Sequence, residues 1–90
     1  MKRVKINVFG LVQGVFFRFN TKQKAEELGI KGWVRNKEDG SVEIVAEGDE
    51  DKIERLIEWC KLGPGMARVD RVEVEEDTTK EKFKGFEIRY

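Results

Sequence analysis

Two segments with helical spacing, each lying between strand-like segments, and an Asp-Gly turn joining the middle pair of strands predict an α+β fold for this 90-residue chain. The element order is β-α-β-β-α-β with one more strand at the C-terminus. Two helices on one face of a mostly antiparallel sheet, a ferredoxin-like α/β sandwich, is the solution to that order. A helix-length crossover requires strands that are parallel or next-but-one, and the short turn requires an antiparallel neighbour.

Val4, Ile6 and Val8 alternate with Lys5 and Asn7, the period of a half-buried strand. Residues 10–17 read as a loop. Phe17, Thr21, Ala25 and Leu28 then recur at helical spacing, with Lys22, Lys24, Glu26 and Glu27 toward water. Gly29 is a natural helix stop. Residues 31–36 form a second strand and Val42 to Glu47 a third. Asn36-Lys37-Glu38-Asp39-Gly40 lies between them, and its Asp-Gly step supplies the positive φ angles of a tight turn. Gly48-Asp49 opens a second helix whose apolar stripe is Ile53, Leu56, Ile57 and Cys60. Asp49, Glu50 and Asp51 sit at the positive end of its dipole, and Gly63-Pro64-Gly65 ends it. Val69, Val72 and Val74 mark a fourth, bulged strand. Residues 77–82 read as a polar turn and Phe83 to Tyr90 as the last strand, with Phe86 and Ile88 alternating against Glu87 and Arg89.

A chain of this length makes one domain with a modest core, so a shallow surface cradle suits it better than a deep cavity. Lys plus Arg and Asp plus Glu are both 18, giving a formal net charge of zero. A nucleic-acid binder normally carries a basic excess or stripe, so none is expected as partner, and any anion site must come from local geometry. Charged residues make up 40%, a density of mixed charge that resembles the ion-pair networks of heat-adapted proteins. The single cysteine, Cys60, excludes an intramolecular disulfide, and the absence of histidine removes the commonest general base and metal ligand. No apolar run approaches the roughly 20 residues of a membrane span, and the N-terminus lacks a signal-peptide core. The expectation is a cytoplasmic monomer with no membrane partner.

The segment Gly10-Leu11-Val12-Gln13-Gly14-Val15-Phe16-Phe17-Arg18 carries most of the functional information. A backbone turning at glycine points several N–H groups into one concavity, and a helix start adds unpaired N–H groups with a partial positive charge. A guanidinium beside them makes a site for a phosphate-sized dianion. The plain alternative is a strand-to-helix connection with a solvated arginine. Against it stand Val15, Phe16 and Phe17, apolar neighbours expected to fix Arg18 and dry its surroundings. The Walker spacing is missing, so this is not a P-loop. Asn36 read alone is a turn residue at a strand end. In this element order, however, the end of the second strand approaches the first loop, where a carboxamide that both donates and accepts can orient a water.

The other candidates read as structural. Cys60 lies on an apolar helix stripe, and Trp33 and Trp59 read as packing residues. Glu73, Glu75, Glu76 and Asp77 form a solvated acidic patch without the spacing of a calcium loop. No nucleophile–histidine pair exists.

Residues 10–18 and 32–48 together closely resemble the acylphosphatase family. Gly10 to Arg18 fits its first signature, Gly-x-Val-Gln-Gly-Val-x-Phe/Tyr-Arg, at every fixed position. Gly32-Trp33-Val34-Arg35-Asn36, Gly40, Val42 and Gly48 fit its second. Gly63 to Asp70 and the Phe86-to-Tyr90 ending also look like the family, so the likeness spans one acylphosphatase-like domain over residues 1–90. One mild departure is Lys37, where the family often has a small polar residue. The resemblance implies hydrolysis of the carboxyl–phosphate bond of small acyl phosphates; with no histidine, one cysteine and no clustered carboxylates, no metal and no cofactor are expected. It implies that Arg18 and the backbone amides of Gln13, Gly14, Val15, Phe16, Phe17 and Arg18 bind the phosphoryl group. It assigns Asn36 to water positioning. Two alternatives stay open at this point. One is an acylphosphatase-like domain whose partner does further chemistry, as inside larger hydrogenase-maturation proteins. The other is a non-catalytic phosphate- or small-ligand-binding module of the same fold.

Overall fold

The alternation of Val4, Ile6 and Val8 buries all three on one face of a sheet, and the two helical stripes close over that face. A computed structural model describes all residues, 1–90. In chain order it contains β1 (Lys2–Leu11), α1 (Phe17–Glu27), β2 (Lys31–Asn36), β3 (Val42–Gly48), α2 (Glu50–Leu62), β4 (Arg68–Glu76) and β5 (Phe86–Arg89). The sheet order is β4-β1-β3-β2-β5. All neighbours are antiparallel except β2 and β5, which are parallel. Each helix therefore links two strands that run in the same direction and flank a third. The expected ferredoxin-like sandwich with a terminal strand is the observed architecture.

The core lies between the sheet and the helices. Val8, Ile6 and Val4 of β1 face Val42, Ile44 and Ala46 across the β3 ladder. Ile53, Leu56, Ile57 and Cys60 of α2 and Phe17, Thr21 and Ala25 of α1 cover them. Each fully buried Val or Ile side chain contributes roughly 1.5–3 kcal/mol of transfer free energy. Thr21 is tolerated there because its hydroxyl donates to the Phe17 carbonyl oxygen at 2.7 Å. Trp59 is half-buried with its ring 5.8 Å from that of Phe17. Trp33 lies on the opposite, helix-free face between the guanidinium groups of Arg35 and Arg89, 5.6 and 4.9 Å from its ring centre.

Two strand boundaries differ from expectation. β1 runs on to Leu11, and its register with β4 shifts between Phe9 and Gly10. Phe9 faces Arg71 and Gly10 faces Val69, so Asp70 is the extra residue of a bulge on β4. A Cβ on Gly10 would lie 2.1 Å from the Arg68 carbonyl oxygen, so only glycine allows this approach. β5 begins at Phe86, not at Phe83. The Phe83 ring instead sits 4.5 Å from the Arg3 guanidinium carbon, and that contact holds it outside the ladder.

Cys60 is fully buried, and burial pushes its thiol pKa up to about 12. The native protein should therefore react slowly with a thiol reagent. Cys60→Ala should cost about 1 kcal/mol of stability through the small cavity it leaves. Native-state labelling as fast as labelling in denaturant would contradict this burial.

Candidate active site

β1, β2 and β5 all end on one side of the sheet, and α1 begins there. In open sheets this strand-end position is where ligand clefts form. Residues 12–16 bridge β1 to α1. Val12 is buried and anchors the loop, while Gly14 turns at φ 75°. Phe16 is the N-cap of α1 and adopts a left-handed conformation, φ 62° and ψ 21°. It is the one non-glycine residue of the chain with positive φ. Its side chain is 76% exposed. Phe17 then drops into the core, which fixes the helix start and places Arg18 one residue further on.

Asn36 reaches the same place by strand parity. Gly32 and Val34 of β2 are buried on the helix side, and Asn36 follows at the same period-two spacing. Its Oδ1 atom is buried and accepts no hydrogen bond from the protein. Ile88 of β5 lies opposite Val34, and Tyr90 follows it at the strand end. The resulting cleft of about 340 Å³ is lined by Val12, Gly14, Phe16, Phe17, Arg18, Phe19, Asn36, Ile88 and Tyr90.

The electrostatics of this cleft differ from those of the surrounding surface. Arg3, Arg35, Arg68, Arg71 and Arg89 are each ion-paired with a carboxylate. Arg18 pairs with no Asp or Glu side chain, and of the other arginines only Arg55, on α2, shares that state. The Arg18 guanidinium carbon lies 4.8 Å from the centre of the Tyr90 ring. The two helix starts differ in the same sense. α2 carries Glu50 and Asp51 in its first turn, whereas α1 has no acidic residue there; neither start has a side-chain cap. The first N–H groups of α1 thus keep their unpaired donors and partial positive charge. Arg18 and the open end of α1 face one cleft with Asn36.

Of the residues singled out from sequence, Gly14, Phe16, Phe17, Arg18 and Asn36 come together at this cleft. Gln13 and Val15 do not line it. Val15 packs against the core, and the Gln13 side chain turns to the β2–β3 hairpin. Phe16 does not shield Arg18 by burial as expected, because its left-handed backbone aims the ring into solvent. Sequence reasoning missed Val12, Phe19, Ile88 and Tyr90 as lining residues. For Phe19 the signal was an apolar residue beside Arg18 off the helix's buried stripe. For Ile88 and Tyr90 none was available without knowing that β5 pairs with β2.

Fold and cleft define a ferredoxin-like domain with one uncompensated arginine at its strand ends. The acylphosphatase family model matches residues 4–88. A curated acylphosphatase of Aeropyrum pernix is 54% identical over 98% of this chain and 88% of its own length. Another, from Rubrobacter xylanophilus, is 52% identical over 98% of this chain and 80% of its own. The crystal structure of acylphosphatase from Bacillus subtilis superposes with a TM-score of 0.93 at 38% identity, covering both chains completely. The chain belongs to the acylphosphatase family.

A non-glycine residue in the left-handed region carries roughly 1–2 kcal/mol of strain. Phe16→Gly should therefore hold or raise the thermal midpoint, and the β-branched Phe16→Val should lower it by several degrees. A fall with glycine as large as with valine would contradict the strain.

Proposed function

We propose that this chain hydrolyses small acyl phosphates to a carboxylate and inorganic phosphate, with Arg18 and the α1 start holding the phosphoryl group and Asn36 orienting the attacking water. The observation that carries the reading is the juxtaposition of an unpaired arginine, an uncapped helix start and a buried, unpartnered Asn36 Oδ1 in one cleft. Its family membership supports the same reading and favours an enzyme over a passive binding module.

The phosphoryl oxygens accept from the Arg18 fork and from backbone N–H groups between Gln13 and Arg18. These donors are fixed in advance by the core anchors Val12 and Phe17, so charge developing in the transition state meets donors that need no reorganisation. The Asn36 carboxamide accepts from the water and holds it opposite the leaving carboxylate. The water oxygen bonds to phosphorus as the bond from phosphorus to the carboxyl oxygen breaks. The electron pair leaves with the carboxylate, and the water's proton passes to a non-bridging oxygen of the phosphoryl group. A carboxylate leaves unprotonated at neutral pH, so the step asks for no general acid. A phosphate ester would expel an alkoxide, which does need one.

The reading extends to the protein's setting. No helix is long and apolar enough to cross a membrane. Balanced charge and a single buried thiol fit a cytoplasmic monomer acting without metal or nucleic acid, and the dense ion pairs fit a heat-stable one.

Arg18→Ala should lower kcat/KM by on the order of 10²-fold or more, and Arg18→Lys should not restore it, because a point charge does not replace a planar fork. Asn36→Ala should depress kcat while inorganic phosphate still inhibits competitively. Near-normal kcat/KM in Arg18→Ala would remove the proposed site. Hydrolysis of an aryl acyl phosphate should survive a strong chelator, and an alkyl phosphate monoester should be a very poor substrate beside it. Loss on chelation with rescue by a divalent ion would overturn the metal-free route.

A further inference from the structure

The Gln13 side chain stands in the middle of the loop that leads to Arg18, yet it does not line the cleft. Its Nε2 donates to the Lys37 carbonyl oxygen at 2.7 Å and to the Ser41 carbonyl oxygen at 2.9 Å. Both partners are acceptors only, so the nitrogen of the carboxamide must face them, and both of its hydrogens are used. The two carbonyls belong to opposite sides of the β2–β3 hairpin mouth, 24 and 28 residues away in the chain.

Each acceptor already has one backbone donor. The Ser41 oxygen accepts the Lys37 N–H at 2.9 Å, and the Lys37 oxygen accepts the Gly40 N–H at 3.2 Å. Gln13 therefore fills the second lone pair on each and locks the mouth from outside. Asp39 locks it from within, accepting the Ser41 N–H at 2.9 Å and its hydroxyl at 2.5 Å. These two bonds hold the Asp39 carboxyl below the usual carboxylate range. Lys37 is the residue directly after Asn36. A carboxamide tied to its carbonyl fixes the backbone that aims the Asn36 side chain.

We infer that Gln13 is a positioning residue whose side chain clamps the hairpin to the loop before Arg18, setting the distance between the group that holds the phosphoryl and the group that orients water. This rests on the proposed role of Asn36. The clamp joins two segments 24 to 28 residues apart in the chain, and a misplacement of about 1 Å between such groups lowers a rate by about 10²-fold. A glutamate at this position would turn an oxygen anion toward two carbonyl oxygens, and a methionine would keep the length while removing both donors.

The test is a double-mutant cycle of Gln13→Met with Asn36→Ala, read in kcat and in the competitive inhibition constant of inorganic phosphate. Gln13→Met alone should lower kcat about ten- to a hundredfold and leave phosphate inhibition within about twofold, because the Arg18 cradle is untouched. In the Asn36→Ala background the same change should cost less than about twofold in kcat. Equal losses in both backgrounds, or a normal kcat in Gln13→Met, would overturn the clamp. If Asn36→Ala keeps its kcat, the role of Asn36 falls. A kcat that then drops with Gln13→Met assigns Gln13 to another task. A measurement on the unmutated protein covers the case in which Gln13→Met fails to fold. Both Gln13 side-chain amide protons should be protected from hydrogen exchange and show scalar coupling to the Lys37 and Ser41 carbonyl carbons. Free exchange of those protons would overturn the proposal.

Discussion

The cleft depends on β1 and β2 running in the same direction with β3 between them. That arrangement follows from a helix-length crossover, which returns the chain to the starting end of the sheet before β2 begins. The carboxyl ends of both strands, and of β5 parallel to β2, then lie level with the start of α1. Period-two parity does the rest. Once Val34 faces the helices, Asn36 must as well, and it falls at the last position of the strand. Had β2 slipped by one residue against β3, Arg35 would point into the core and Asn36 into solvent.

A neutral chain makes a cationic cleft here by local placement. Most arginines on the surface are held by carboxylates or lie against aromatic rings, and the helix-free face of the sheet is a lattice of such pairs. Each exposed pair is worth at most about 1 kcal/mol, and cations such as Lys31, Lys52 and Arg55 stay unpaired elsewhere, so what sets the cleft apart is an unpaired Arg18 beside the start of α1. Arg18 has only the Tyr90 ring, a partner that leaves its charge unneutralised. The uncapped start of α1 beside it adds to the same field, while the acidic first turn of α2 cancels its own.

Much of this was legible in the sequence because it rests on short-range periodicity and turn chemistry. The alternation of Val4, Ile6 and Val8 and the stripe of Ile53, Leu56, Ile57 and Cys60 mark their elements directly, while in the Asp39-Gly40 turn only Gly40 takes the expected positive φ, 91°, and Asp39 instead closes the hairpin through its carboxylate on Ser41. The pairing of Gly14, Arg18 and Asn36 followed from element order. What was not legible depends on contacts between distant segments. Phe83 has strand-like chemistry, yet its ring finds Arg3 some eighty residues away. Tyr90 joins the cleft only because β5 adds to the β2 edge. Gln13 looked like a backbone donor to the ligand, and no local pattern signals that its side chain reaches the Lys37 and Ser41 carbonyls.

The central claim is that the loop from Gln13 to Arg18 and the start of α1 hold the phosphoryl group. Titrating the ¹⁵N-labelled protein with inorganic phosphate tests it most directly, because phosphate has no acyl group and no scissile bond to complicate the readout. The account predicts saturable shifts concentrated in the backbone amides of residues 13–19 and in the Arg18 side-chain Nε–H, with the far side of the sheet unmoved. Shifts centred on the α2 start around Asp49 and Glu50, or saturable binding that survives in Arg18→Ala, would contradict it.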